Sequence, residues 1–231
     1  FIAAYASTID TAAWVILLLM FELETYALDD RHFTRNVTWT LQGTRLLCYI
    51  VIVYAFYGYV AKLVFLSGIA PLADVNELCT LASAGWSYAI DLDEYTLMSA
   101  ANCSEFSTAA QFFRFPEMLA VVDGAGRVDI LRLAWTDVIN AGVWLLVVLV
   151  LEIDVRLQEH NRYEGLALRL SNAIKVVLYS ILLLAAVYWG VNGDFVDFWD
   201  AFLWLVAFVF IELNVFEWRQ ETLREAQTGQ S

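Results

Sequence analysis

Three glutamates in this sequence stand at one fixed offset from a tryptophan. Asp10, Trp14 and Glu22 share their spacing with Asn140, Trp144 and Glu152 and with Asp200, Trp204 and Glu212. The template is Asp or Asn, then Trp one helical turn on, then Glu, then Leu or Ile followed by an acid or amide. Glutamate makes up only 13 of 231 residues, so three occurrences at one offset mark a degenerate internal repeat.

Each glutamate lies about 18 Å along a helix from the polar residue that opens its pattern, at 1.5 Å per residue. In a membrane span that depth falls in the inner half, where a carboxylate is disfavoured; at a helix centre the cost is about 2.5 to 3.5 kcal/mol. Such a residue therefore turns to a cavity or a partner. The polar residue, Trp and Glu of one repeat fall within about 120° on a helix, giving each helix one semi-polar face. If three such helices surround one axis, Glu22, Glu152 and Glu212 form a partial ring. Carboxylate rings select cations, and buried carboxylates relay protons.

The same acids also suit helix-to-helix ion pairs. Arg45 and Lys175 begin neighbouring spans on the same side and reach inward by snorkelling, and Glu152 has Arg156 four residues on. Glu212 has no evident local cation, which makes it the best single candidate for an ion path.

The elements that must position these groups are apolar helices. The chain is 61% hydrophobic with a mean hydropathy of +0.62, far from a soluble domain's composition. Apolar runs at 11–28, 46–66, 139–155, 173–191 and 195–218 reach or approach the roughly 20 residues that cross a bilayer, and no alternating pattern suggests a barrel. The expected fold is an all-α integral membrane protein with about five transmembrane helices. The first residue is Phe1 rather than Met, as in a processed or trimmed chain, so five is read as a minimum for the parent gene.

Basic residues set the orientation. Arg31, Arg35, Arg45, Arg156, Arg162, Arg169, Lys175, Arg219 and Arg224 lie in or beside segments that share one side of a five-helix alternation. The positive-inside rule makes that side cytoplasmic, with the N-terminus outside and the C-terminus inside. In the even spans, Arg45, Tyr49 and Tyr57-Gly58 resemble Lys175, Tyr179 and Tyr188-Trp189-Gly190. The repeated unit is thus a helical hairpin, and its copies run parallel.

The expected organisation is a first hairpin over 1–66, an external loop region over 67–134, a second hairpin over 135–193, a fifth helix over 194–218 and a cytoplasmic tail over 219–231. The external region carries nine acids against Arg114, Arg127 and Arg132. It also holds Cys79 and Cys103, expected to pair in an oxidising compartment. Short apolar stretches occur at 86–90 and 118–122. Asp123, Gly124, Ala125 and Gly126 read as a turn, without the Lys-Ser/Thr of a phosphate loop.

A net charge of -13 excludes nucleic acid as a partner. No Glu-x-x-His, Cys-x-x-Cys or Gly-x-Ser-x-Gly occurs, and His32 and His160 fall in predicted loops, so neither enzyme, metal nor cofactor is expected. The expected function is a cation or proton channel or transporter subunit in the inner (cell) membrane; the alternative is a non-catalytic structural or accessory subunit of a larger membrane complex. The expected partners are the lipid bilayer and either further copies of the chain, as a homo-oligomer, or other membrane subunits.

Overall fold

The structure, a computed structural model, describes residues 2–23, 35–73, 77–107, 109, 111–159 and 165–228. It is 75% helical. In chain order the elements are α1 (Ile2–Glu22), α2 (Arg35–Ser67), β1 (Ala70–Pro71), β2 (Ser87–Ala89), β3 (Tyr95–Leu97), α3 (Cys103–Phe106), β4 (Phe112–Arg114), β5 (Ala120–Asp123), α4 (Gly124–Glu159), α5 (Leu166–Asn192) and α6 (Phe195–Thr228), with short 3-10 turns at Leu78–Thr80 and Ala82–Ala84.

Among the described residues, three helices are long and apolar enough to cross a membrane: Arg35–Ser67, Gly124–Leu157 and Leu166–Asn192. At 1.5 Å per residue even the 27-residue α5 extends about 40 Å, against roughly 30 Å of hydrocarbon. Ile9–Met20 is a shorter apolar helix. Their outward faces are apolar too: Leu184 is 68% exposed and Val176 66%. Contiguous apolar surface of this kind is rare on a soluble monomer and suits lipid.

The chain divides into two compact units, Phe1–Ala55 with Gly142–Ser231, and Phe56–Ala141. The core of the first is built from Leu17, Val147, Leu182, Ala186 and Phe208, all nearly inaccessible. Within it α5 and α6 form an antiparallel hairpin, because only Gly193 and Asp194 separate them. Gly193 takes φ 89°, which an L side chain rarely adopts, and closes α5. The next amide, of Asp194, donates to the Trp189 carbonyl at 3.0 Å, and the Asp194 carbonyl accepts from Phe198 at the start of α6.

The second unit carries a five-stranded sheet in the order β1-β4-β5-β2-β3. β2 and β5 run parallel, and the remaining neighbours are antiparallel. Leu78, Met98, Phe112 and Val121 form its buried core. The Cys79–Cys103 disulfide fastens the first 3-10 turn to α3, and the Leu78 amide donates to the Ser107 hydroxyl at 3.0 Å beside it. Tyr88 stacks on Phe106 at 4.5 Å.

The sheet corrects the all-α expectation. Its strands are two to four residues long, too short for an alternating pattern to show. The apolar stretch 86–90 contains β2, and 118–122 holds the first three residues of β5. The expected turn at 123–126 is instead the start of α4. Asp123 Oδ1 accepts the Gly126 amide at 2.7 Å, a side-chain cap for the first turn. The helix therefore begins well before the span read from position 139.

Two predictions follow from the second unit's packing. The disulfide closes a loop with a sequence separation of 24, so replacing both cysteines with Ala should cost this unit about 3 to 4 kcal/mol in the chain-entropy picture. Limited trypsin digestion at Arg114 reads the effect; unchanged cleavage rates would show that the bridge adds nothing. Burial, helped by the nearby Asp93 carboxylate, raises the Tyr95 hydroxyl above its ordinary 10.0. The folded state then holds that proton more tightly than the unfolded chain, so its contribution is intact below about pH 10 and is lost as pH rises above that. Tyr95→Phe should flatten the loss of stability between pH 9 and 11 in denaturant titrations, and parallel curves for the two proteins would count against it.

Candidate functional site

The acids of α4 and α6 are held by bases and hydroxyls that cross from neighbouring helices. On α2, Arg45 and Tyr49 are one turn apart and so share a face. Both engage Oε1 of Glu152 on α4, the guanidinium at 3.3 Å and the phenol, as donor, at 2.6 Å. A phenolic O–H this close to a carboxylate oxygen is in the charge-assisted range.

A second tie uses α5. Ser171, Lys175 and Tyr179 follow one another at one-turn intervals and form one stripe. The Ser171 hydroxyl donates to Asp154 Oδ2 at 2.7 Å, and the Lys175 ammonium lies 3.2 Å from the same oxygen. The ammonium also reaches Glu212 Oε2 on α6 at 2.9 Å. The Tyr179 hydroxyl completes the group with a longer bond to Glu212 Oε1 at 3.4 Å. Asp154 is only 5% exposed, and Lys175 is largely buried between its two acids.

Helix geometry explains why one segment of α4 serves two partners. Residues two apart differ by about 200° around a helix, so Glu152 and Asp154 point to opposite sides. Glu152 meets α2 and Asp154 meets α5. In the second tie the single lysine joins three helices.

Eight residues, about two helical turns, before the acids, the repeated tryptophans meet. The Trp14 ring lies 6.3 Å from Trp144 and 6.3 Å from Trp204, edge to face in each case. Phe208 fills the same cluster, 4.6 Å from Trp144. Edge-to-face rings at these separations attract. Asp200 accepts a hydrogen bond from Trp204, one turn further along α6, and interacts electrostatically with Asp10 of α1.

For the residues expected from sequence, the geometry differs in one main respect. Glu212, expected to lack a local cation, has one: it comes from α5, not from its own helix. Glu152 and Glu212 are each turned to a different base, and it is the tryptophans that converge. Arg156 follows Glu152 by one turn in α4. Glu22 ends α1, and its side chain lies outside the described residues, as do His32 and His160. Sequence reasoning passed over Asp154, Ser171, Tyr49 and Tyr179 as members of the site. The signal for the tyrosines was present, since Arg45 and Tyr49 stand at the same spacing as Lys175 and Tyr179.

Chemically, the second tie is a connected series of hydrogen-bond donors and carboxylate acceptors running Ser171, Asp154, Lys175, Glu212, Tyr179. Among the described residues, no group of three or more His, Cys, Asp or Glu is placed to hold a metal ion. No protein-family model, curated protein or solved structure matches the chain.

Because Lys175 serves two carboxylates and Arg45 serves Glu152, Lys175→Met should destabilise the helical unit more than Arg45→Met. Removing one partner of a buried pair costs about 3 to 5 kcal/mol. Adding Glu212→Leu to Lys175→Met should recover part of the loss. Thermal unfolding in nanodiscs measures all three; equal midpoints for the two single variants would mean that the lysine is not shared.

Proposed function

We propose that the chain is a non-catalytic, membrane-spanning subunit whose intramembrane charges lock its helices together and whose folded sheet unit meets partners outside the membrane. The observation that carries this is the pairing of Glu152, Asp154 and Glu212 with Arg45 or Lys175 within 3.3 Å. An ammonium or guanidinium against a carboxylate offsets the cost of each charge in hydrocarbon.

In this proposal the chain crosses the inner membrane five times, with α1 and α6 added to the three longer apolar helices. The N-terminus and the sheet unit are outside, and the C-terminus is inside. Two observations support the count and the repeat. Trp14, Trp144 and Trp204 bring α1, α4 and α6 together. The base-and-tyrosine pair of α2 grips the glutamate of α4 as that of α5 grips the glutamate of α6. The repeated unit is then a helical hairpin, α1 with α2 and α4 with α5, and α6 is a third copy of its acid-bearing helix. Placement of Cys79 and Cys103 outside agrees with their bridge, since disulfides persist in oxidising compartments.

A second reading is favoured by one observation, the unbroken series from Ser171 to Tyr179 across α4, α5 and α6. Such a series relays protons where water reaches both ends, and the chain is then a proton or cation transport subunit with Glu212 at its centre.

Flux in proteoliposomes separates the two. The purified chain should carry no proton or cation flux under an imposed gradient, and Glu152→Gln and Glu212→Gln should each lower the thermal midpoint. Native flux that Glu212→Gln abolishes, with the midpoint and oligomer size unchanged, would replace the locking role with a carboxylate path.

A further inference from the structure

The second unit leaves an apolar loop uncovered. Between β4 and β5 the chain reads Phe115, Pro116, Glu117, Met118, Leu119. Phe115 is buried, but Met118 and Leu119 stand out, 43% and 57% exposed. The loop is firmly held: the Phe115 amide donates to the Ala120 carbonyl at 3.0 Å, and the Leu119 carbonyl accepts from Ser87 at 2.9 Å. At its apex Glu117 takes φ 57°, a left-handed conformation uncommon for a residue with a side chain. The backbone is thus fixed in a shape that turns two large apolar side chains outward.

The loop sits at the end of a spanning helix. A Cβ added to Gly68, the first residue past α2, would stand 3.1 Å from Pro116 Cγ, so the proline rests directly on the helix end. A second contact holds the sheet to the same helix, between Lys62 and Asp93 at 2.7 Å. Tyr57 and Val64 on α2, and Gly68 just past its end, recur at helical spacing and lie along one face. Tyr57 and Val64 are 66% and 67% exposed, as lipid-facing residues are. Pro116 meets that face where the helix stops, and the exposed Met118 and Leu119 follow it two and three residues on.

We propose that the β4–β5 loop is an interfacial anchor that sets Met118 and Leu119 into the outer leaflet of the bilayer. The attraction is apolar rather than electrostatic, because acids outnumber bases nine to three over 67–134 and anionic headgroups attract basic segments. The anchor rests on α2 spanning the membrane, as proposed above. It fixes the sheet unit against the lipid surface rather than leaving it on a free stalk.

The test places a nitroxide label at Leu119→Cys, and separately at Val64→Cys, in a Cys48→Ala background reconstituted in phosphatidylcholine vesicles. Accessibility to oxygen and to a water-soluble nickel chelate is then read by electron paramagnetic resonance. Both positions are exposed, so the labels disturb no packing. The expected result is that the Leu119 label, like the Val64 label, is open to oxygen and shielded from nickel. A Leu119 label open to nickel while Val64 remains shielded would overturn the anchor and leave the span intact. Shielding of Leu119 from both reagents, with dipolar broadening between labels, would overturn it in favour of contact with a second copy. A Val64 label open to nickel would overturn the span and the anchor together.

Discussion

A carboxylate packed between apolar helices persists either by taking up a proton or by meeting a base that crosses to it from another helix. The second solution shapes the helical unit. Between lipid-facing helices the hydrophobic effect gives little preference for one rotation over another, because lipid tails are as apolar as leucine. Glu152 and Asp154 supply that preference. They project to opposite sides of α4, and each is gripped from its own side, by Arg45 and Tyr49 or by Ser171 and Lys175. Rotating α4 in either direction breaks both grips, so two acids fix its azimuth and Lys175 extends the constraint to α6.

An aromatic layer complements the ionic one. Trp14, Trp144, Trp204 and Phe208 fill the interior where three helices converge, and the glutamates lie roughly 12 Å further along, given the helical rise. The aromatic rings need only shape and proximity, whereas the acids need a base in register. One layer gathers the helices and the other sets their rotation. The two-residue link at Gly193 and Asp194 adds a covalent limit on how α5 and α6 can slide.

Much of this was legible in the sequence, and the gaps have physical causes. Apolar length exposed α2, α4 and α5 as membrane-crossing candidates, since composition over some twenty residues is a strong signal. The spacing of Glu to Trp, and of Arg45 or Lys175 to tyrosine, singled out residues that meet. Which acid meets which base depends on tertiary packing, which is why Glu212 looked unpaired: its lysine is remote in sequence and adjacent in space. Asp154 was hidden by Glu152 beside it, although the 200° between them gives it a separate task. The sheet was the largest omission, because strands of two to four residues carry no usable period, and Asp123, Gly124, Ala125 and Gly126 have turn-like composition while serving as a helix start.

The strand order of the sheet has a bearing on how the molecule is made. Its central strand β5 lies between β4 and β2, and among the described strands β1 pairs with β4 alone. When β1 emerges from the ribosome, β4 has not been synthesised. β2 and β3 pair early, and the loop bounded by Cys79 and Cys103 can close around them. β1 must wait for Phe112 onward, and β5 runs without a break into α4. The last strand to be synthesised is therefore followed at once by a long apolar helix, with no linker between the closing of the sheet and the first turn of α4.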